Sequence, residues 1–188
     1  MPDYRDLLAA AQQNPEQADF HSLRMAYTQS DEYHPYAPDA EHLNALQQAL
    51  NEGDFAAALT AAQGLLEDCY LDIEAHMAAD YIYTNLEDYP RATYHRTFAR
   101  GILNAIMGTG DGRSPETALI VIDIREEYTL CRILNMRPSG QRLIHHEGHW
   151  LDVLTVQHPE SGARLDLHFN VDLPKNWLHH RLSGEETD

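Results

Sequence analysis

A short sequence pattern recurs in this chain at an offset of 34 residues. Residues 53–58 (GDFAAA) and residues 87–92 (EDYPRA) each combine a turn, an aromatic residue and, three positions after the aromatic, an alanine. A repeat of this length is built from pairs of helices, and its small residues lie where two helices approach closely. Apolar residues at spacings of three and four continue on both sides of the two segments. The first hundred or so residues are therefore predicted to be helical.

The repeat resembles the tetratricopeptide repeat, which has the same period. The resemblance covers about residues 39–106, and Asp72 matches the capped junction between repeats. The sequence departs from the family pattern at Leu46 and Asp80, which replace a small glycine, and at Tyr70, where proline is usual. Two repeats are fewer than a free-standing array needs, so we expect the neighbouring segments to cap the array.

Two further helices are predicted before the repeats. Asp3 and Asp19 are placed to cap them, and Pro15 ends the first. The connector over residues 33–38 (YHPYAP) is predicted to be non-helical, because its two prolines lack an amide donor and restrict the residues before them.

A second architecture is predicted after Met107, where residues 108–115 (GTGDGRSP) form a turn-rich junction. Four segments rich in apolar and β-branched residues predict strands: residues 117–124, 141–144, 150–156 and 164–171. Short reversals join the last three, so these are expected to form an antiparallel meander. Residues 126–136 fit a helix, and Asp172 is expected to cap a final helix.

The sequence therefore predicts an α+β fold, in which tetratricopeptide-like helical hairpins pack with a small C-terminal antiparallel β-meander and a final helix. The helical part is expected over residues 1–108 and the β part with its flanking helices over residues 113–182. Residues 183–188 are expected to form a loose tail. Because two repeats need support from both flanks, the two parts are expected to form one integrated domain.

The chain is strongly acidic, with 30 Asp and Glu against 13 Lys and Arg, a net charge of −17. Residues 1–112 contain 18 acidic and 5 basic residues, whereas residues 113–188 contain 12 and 8. Such a surface repels phosphate groups, so nucleic acids and membranes are disfavoured as partners and a basic protein or peptide is favoured. Solubility alone is the other explanation of the charge.

The location of the chain is predicted from what it lacks. No apolar run approaches the roughly 20 residues that span a bilayer, and no secretory leader is readable at the N-terminus, so a cytoplasmic protein is expected. Cys69 and Cys131 lie 62 positions apart in apolar settings, which indicates buried, reduced thiols.

Three histidines, His145, His146 and His149, lie within five residues. A metalloprotease site needs two histidines four apart on a helix, whereas these lie at a predicted hairpin turn, where adjacent side chains point to opposite faces. We therefore predict structural histidines, with no metal and no cofactor, and keep a weak metal site as the alternative.

The glycine-rich residues 108–112 (GTGDG) match neither the Walker nor the GxGxxG spacing, so they predict the end of a helix followed by a turn. The alternative is a functional loop, with a polar site formed by Asp111, Arg113, Glu116 and Glu127. No serine or cysteine nucleophile is paired with a base, so no catalytic residue is assigned.

The first helices of tetratricopeptide pairs commonly line a concave groove. The resemblance implies that seven side chains face it: Leu43, Gln47, Asn51, Glu74, Met77, Tyr81 and Asn85. Amides and tyrosine suit the recognition of an extended peptide, because they hydrogen-bond at low cost in side-chain entropy. The alternative is that the chain's own first two helices fill the groove.

Several motifs along the chain together resemble a family of small bacterial proteins of unknown function. They are LRMAY at residues 23–27, YLDIEAH at 70–76, GDGRSPETA at 110–118, EEY at 126–128 and FNVD at 169–172. The resemblance spans nearly the full length and implies a single integrated domain, without implying an activity.

These observations favour a non-enzymatic interaction protein, an adaptor, a chaperone or an immunity-type binder, that holds a peptide or a basic protein on an acidic helical scaffold. The alternative is an enzyme of unknown class centred on residues 110–127, where an arginine and several carboxylates gather near a predicted strand.

Overall fold

The chain divides into two units, Met1–Asn104 and Ala105–Asp188, which we call the helical unit and the β unit. The computed structural model describes residues 3–36 and 40–183. Part of the connector predicted over residues 33–38, and the predicted tail beyond Ser183, therefore lie outside the described residues.

Aspartate side chains cap several helices of the helical unit. Its helices are α1 (Tyr4–Gln13), α2 (Phe20–Tyr27), α3 (Ala40–Glu52), α4 (Phe55–Asp68), α5 (Ile73–Asn85) and α6 (Tyr89–Met107), the last turn of which belongs to the β unit. The carboxylates of Asp3, Asp19 and Asp72 accept backbone N–H groups at 2.7, 3.0 and 3.0 Å, which confirms these predicted caps. Each carboxylate satisfies one of the amides that the first turn of a helix leaves unpaired.

The turn before α4 recurs before α6 with the same hydrogen bonds. The N–H groups of Asp54 and Asp88 each donate to the carbonyl five residues back at 2.9 Å. Each turn also contains a residue with positive φ, +72° at Gly53 and +58° at Glu87. The backbone geometry thus repeats at the 34-residue offset of the sequence.

The core of the helical unit depends on small residues. Ala58, Ala62 and Ala75 are fully buried in a cluster with Leu65 and Ile82, which lets α4 and α5 approach closely. On α6, the helical Gly101 leaves room for the ring of Phe20, because a Cβ at this position would lie 2.1 Å from a ring carbon.

The β unit contains a four-stranded mixed sheet. Its elements are the 3₁₀ turn Pro115–Thr117, β1 (Leu119–Ile120), α7 (Arg125–Ile133), β2 (Arg137–His146), β3 (His149–Gln157), β4 (Arg164–Asn170) and α8 (Asp172–Ser183). The strand order is β1-β4-β3-β2, with antiparallel pairs except for the parallel pair of β1 and β4. The predicted α+β class is confirmed, and the sheet is mixed because β1 joins the three-stranded meander.

The first strand is shorter than residues 117–124, the range predicted for it. The N–H of Ile122 donates to the carboxylate of Glu126 at 2.9 Å, and the N–H of Arg125 donates to Asp123 at 2.8 Å. These bonds turn the chain into α7 and end the pairing after Ile120.

The central position of β3 is evident from its burial. Val153 and Leu154 are adjacent in sequence and both fully buried, so both faces of the strand are covered. The edge strand β2 is exposed over most of its length and begins four residues before its predicted start. A bulge between Pro138 and Gly140 accommodates the proline, which has no N–H for the ladder.

The role predicted for Asp172 was wrong. Asp172 is the first residue of α8, one position after the cap, and its carboxylate accepts the N–H of Trp150 at 2.8 Å and contacts Nδ1 of His149 at 2.6 Å. These two bonds tie the start of α8 to the start of β3.

Two further features bear on the predictions from composition. Among the described helices, none has the length and apolar character that crossing a membrane requires. Cys69 and Cys131 are both free thiols, the first half-buried and the second buried.

Candidate functional site

A cavity of about 660 Å³ lies in the helical unit among residues of α1, α2, α4 and α6 and the segments that follow α2 and α4. Its volume falls within the range of ligand pockets. Three tyrosines and a histidine, Tyr4, Tyr27, Tyr70 and His95, provide its aromatic surface. Glu32, Glu67 and Asp68 provide carboxylates, and the described lining contains no lysine or arginine.

The tyrosines are held by packing against one another. The ring centroids of Tyr4 and Tyr27 are 5.1 Å apart, and the ring of Tyr33 packs edge-on against Tyr27 at 5.3 Å. The hydroxyls of Tyr70 and Tyr94 share a hydrogen bond of 2.8 Å. Burial raises the pKa of the Tyr4 and Tyr27 hydroxyls well above the usual value, so both phenols remain neutral.

Two histidines lie in contact beside the cavity. Nδ1 of His76 on α5 is 3.0 Å from Nδ1 of His95 on α6, and Nε2 of His76 is 2.9 Å from the carbonyl oxygen of Tyr70. Burial lowers the pKa of His76 to about 3 and also lowers that of His95. Both imidazoles are therefore neutral at pH 7.

Aromatic neighbours fix the orientation of both imidazoles. The ring of His76 stacks on Phe98 with centroids 4.7 Å apart and an interplanar angle of 11°. The ring of His95 stacks on Tyr83 at 5.5 Å and 17°, and the ring of Tyr94 meets it edge-on at 5.2 Å.

Carboxylates give the cavity a negative potential. Asp68 and Glu67, at the end of α4, are exposed to solvent. Glu32 pairs with Arg5, the Nε of which lies 2.7 Å from the carboxylate, and His42 lies 3.8 Å from Asp68. Arg5 offsets part of the charge of Glu32, so Glu67 and Asp68 provide most of the negative charge of the lining.

The residues predicted to face a groove lie on α3 and α5. Met77 and Tyr81 are exposed by 45% and 56% one turn apart on α5, and Phe55 meets the Tyr81 ring at 6.1 Å. Leu43 packs against the core, and Glu74 is half-buried.

Three amides of the predicted groove bond locally. Nε2 of Gln47 donates to Asn51 at 3.3 Å, and Nδ2 of Asn85 donates to the carbonyl of Tyr81 at 2.7 Å. These amides are thus bonded within their own helices. The role of these seven residues in binding stays a prediction.

The predicted polar loop is bonded mainly within itself. The carboxylate of Asp111 accepts the hydroxyl of Thr117 at 2.6 Å and the N–H of Arg113 at 3.0 Å. Glu116 is exposed and lies 3.2 Å from Nε2 of His146. A Cβ at Gly110 would lie 2.2 Å from the carbonyl oxygen of Thr117, so the glycine is required by close packing.

Glu127 has different surroundings from the other three residues of the predicted polar site. Its side chain is fully buried, and neither carboxylate oxygen has a hydrogen-bond partner among the described residues. Burial raises its pKa to about 9, and the nearby carboxylates of Asp152, Glu126 and Asp123 contribute. Glu127 is therefore protonated at pH 7.

The three clustered histidines contact three different residues. The ring of His145 packs on Trp150 at 4.8 Å, His146 contacts Glu116, and His149 contacts Asp172. Among residues 3–36 and 40–183, no group of three or more His, Cys, Asp and Glu side chains is arranged to hold a metal ion.

The aromatic and histidine residues of the cavity were missed by sequence reasoning. Tyr4, Tyr27, Tyr70 and His95 come from four separate segments, so no local motif joins them. One signal was available, since His76 lies among Ala75, Ala79 and Ile82 on the apolar side of α5. A polar residue on an apolar helix face must find partners in the core.

The fold and the cavity define an α+β protein in which a helical unit with a recurring turn contains a ligand-sized site. The chain belongs to the family described as a domain of unknown function (DUF4919), the model of which matches residues 4–179. Comparison with curated proteins gave no match, and comparison with solved structures gave none either.

Proposed function

We propose that the helical unit is a protein-interaction module that binds a basic side chain of a peptide or protein partner in the tyrosine-lined cavity. The observation that carries the proposal is the chemistry of the lining, with three tyrosines, a neutral histidine and three carboxylates. Aromatic faces attract ammonium and guanidinium groups, by about 2 kcal/mol where water is excluded, and carboxylates add charge attraction.

The helical unit itself contains an example of this recognition. The guanidinium carbon of Arg91 lies 4.9 Å from the centroid of the Tyr83 ring, and Nε of Arg91 pairs with Asp88 at 2.6 Å. A cation held between a tyrosine face and a carboxylate is the arrangement that we propose for the ligand in the cavity.

Long-range charge supports a basic partner. Residues 1–104 contain 17 acidic and 5 basic residues, a net charge of −12. A field of this sign accelerates the approach of a basic protein and repels nucleic acids and anionic membranes. The class that we propose is a cytoplasmic adaptor, chaperone or immunity-type binder on a tetratricopeptide-like scaffold. The turn that recurs after 34 residues supports this scaffold.

A direct test compares two peptides that differ only in charge. The full chain is titrated with acetyl-Gly-Gly-Lys-Gly-Gly-amide and with the same peptide carrying norleucine in place of lysine, and the NMR signals of Tyr4, Tyr27 and Tyr70 are followed. We expect the lysine peptide to bind at least tenfold more tightly and to shift these rings. Equal binding of the two peptides contradicts the proposal.

Two substitutions locate the site. Asp68→Asn removes a carboxylate from the cavity, and we expect a roughly threefold to tenfold loss of affinity that shrinks at high salt. Tyr81→Ala removes the exposed aromatic residue of the predicted groove on α5. Loss of affinity in Tyr81→Ala alone would place binding on the α5 face instead of in the cavity.

The alternative, an enzyme centred on residues 110–127, has one feature in its favour. A buried carboxyl with a raised pKa, such as Glu127, is the kind of group that serves as a general acid. Asp111 gives less support to this alternative, because it is bonded to its own loop.

A further inference from the structure

The two histidines beside the cavity have only one possible arrangement of hydrogens at neutral pH. The carbonyl oxygen of Tyr70 can only accept a hydrogen bond, so Nε2 of His76, 2.9 Å away, must carry a hydrogen. Burial lowers the pKa of His76 to about 3, so the ring is neutral and its Nδ1 has no hydrogen. That nitrogen can therefore only accept.

His95 must then donate from its own Nδ1. The two Nδ1 atoms are 3.0 Å apart, and one of them has to supply the hydrogen between them. Because the pKa of His95 is also lowered by burial, its ring carries a single hydrogen, which lies on Nδ1. Nε2 of His95 consequently has a free lone pair, and no described hydrogen bond uses it.

The position of His95 in the lining of the cavity makes this lone pair available to a ligand. His95 lines the cavity together with Tyr70, the residue at the other end of the hydrogen-bond chain. The hydrogen bond between the two Nδ1 atoms holds the ring in this orientation, because turning the ring over would move Nδ1 away from His76. Tyr70, His76 and His95 thus fix one neutral acceptor nitrogen in a lining that also contains tyrosines, carboxylates, two glutamines and two leucines.

We propose that Nε2 of His95 accepts a hydrogen bond from the cation bound in the cavity, so that the site selects cations that carry N–H groups, the primary ammonium of lysine or the guanidinium of arginine. This inference rests on the proposed binding of a basic side chain and names the class of cation. A trimethylated ammonium keeps the charge and the attraction to the tyrosines but has no hydrogen to donate. It would leave the acceptor unpaired in a partly buried site, which costs roughly tenfold to a hundredfold in affinity.

The test uses the full chain and three forms of one pentapeptide, acetyl-Gly-Gly-Xaa-Gly-Gly-amide, where Xaa is lysine, trimethyllysine or norleucine. Affinity is measured by titration, and the ¹⁵N signals of the His95 ring are followed in the same samples. The free protein should show hydrogen on Nδ1 and not on Nε2, a measurement that needs no variant. On addition of the lysine peptide the Nε2 signal should move toward the protonated position, and trimethyllysine should bind at least tenfold more weakly.

The outcomes separate the two proposals. Equal affinity for lysine and trimethyllysine, with norleucine weaker, overturns the role of His95 and leaves the binding of a cation in place. Norleucine binding as well as lysine, or no binding of any form, overturns both. Hydrogen on Nε2 of His95 in the free protein overturns the inference before any ligand is added.

A variant isolates the acceptor from the packing. His95→Phe keeps a ring to stack on Tyr83 and removes both nitrogens, so we expect its preference for lysine over trimethyllysine to be several-fold smaller than that of the wild type. His95→Gln restores an acceptor oxygen and should restore part of the preference for lysine. A preference for lysine that is undiminished in His95→Phe contradicts the assignment.

Discussion

His76 in the helical unit and Glu127 in the β unit are both fully buried and neutral, but their surroundings differ. Both nitrogens of His76 have partners, at 2.9 and 3.0 Å, whereas both oxygens of Glu127 have none. Burial lowers the pKa of the first to about 3 and raises that of the second to about 9.

The difference has consequences for stability. The hydrogen bonds of His76 offset the cost of burying its imidazole and orient His95, so removal of this side chain should destabilise the helical unit. Glu127 is buried without compensation, so its removal relieves a cost. A buried titratable group whose polar atoms all have hydrogen-bond partners stabilises the folded unit. A buried group without partners destabilises its unit at any pH where its charged form is favoured in water.

The largest change in stability is expected from the substitution Glu127→Gln in the β unit. The folded pKa of about 9 lies above the ordinary value of 4.5, so the folded β unit holds a proton that the unfolded chain releases. The free energy of unfolding should therefore fall by about 1.4 kcal/mol per pH unit between those two values. The amide cannot ionise, so the variant should lack this slope and be several kcal/mol more stable than the wild type at pH 8.5.

Urea unfolding at pH 6 and pH 8.5 measures this effect, followed by the fluorescence of Trp150 and Trp177, the two tryptophans of the chain, both in the β unit. Glu126→Gln is the comparison variant: its amide oxygen can still accept the N–H of Ile122, and the slope due to Glu127 should persist, although the loss of one nearby carboxylate should lower the pKa of Glu127. An unchanged slope in Glu127→Gln contradicts the prediction.

The helical unit should respond to pH in the opposite direction. The folded pKa of His76, about 3, lies below the ordinary value of 6.5, so the stabilisation is complete above pH 6.5. It should be lost as the pH falls from 6.5 to about 3, by roughly 1.4 kcal/mol per pH unit from this group. Far-UV circular dichroism during urea unfolding at pH 7 and pH 5 measures it.

His76→Gln sharpens this result. We expect the variant to lose about 1–3 kcal/mol at pH 7, because hydrogen bonds in the core are broken, and to show a shallower loss between pH 7 and pH 5. His21→Gln on the exposed side of α2 should change neither quantity. The same slope in His76→Gln as in the wild type would mean that another group carries the acid sensitivity.

A smaller effect is expected where one partner of a bonded pair is removed. Tyr94→Phe leaves the hydroxyl of Tyr70 without its bond of 2.8 Å, so the helical unit should lose about 1 kcal/mol. Tyr89→Phe removes a hydroxyl from a side chain that is 61% exposed and should have no measurable effect. An equal loss of unfolding free energy in the two variants would contradict the conclusion that hydrogen-bond partners of buried groups stabilise the helical unit.

The smallest expected effect is a gain in stability from a substitution in the second copy of the repeated turn. Glu87 has a φ of +58° where the first copy has Gly53, and side chains disfavour this conformation. Glu87→Gly should stabilise the helical unit by roughly 0.5–1 kcal/mol, whereas Glu87→Ala should not. The gain should appear in circular dichroism and not in tryptophan fluorescence, which would show that the two units can be stabilised independently.

The sequence alone determined the local structure. Asp3, Asp19 and Asp72 cap helices because a cap needs only an acceptor and an amide two or three residues later. The turns at Gly53 and Glu87 recur because the same local bonds recur. The meander of β2, β3 and β4 also follows from alternation and short reversals, which are properties of neighbouring residues.

The tertiary structure decided the candidate site. Tyr4, Tyr27, Tyr70 and His95 lie far apart along the chain, and only helix packing brings them to one cavity. The partners of Asp172 and the burial of Glu127 were likewise set by elements distant in sequence. The physical reason is that periodicity and caps act over one or two turns of chain, whereas desolvation, and with it the protonation of His76 and Glu127, depends on which surfaces cover a residue.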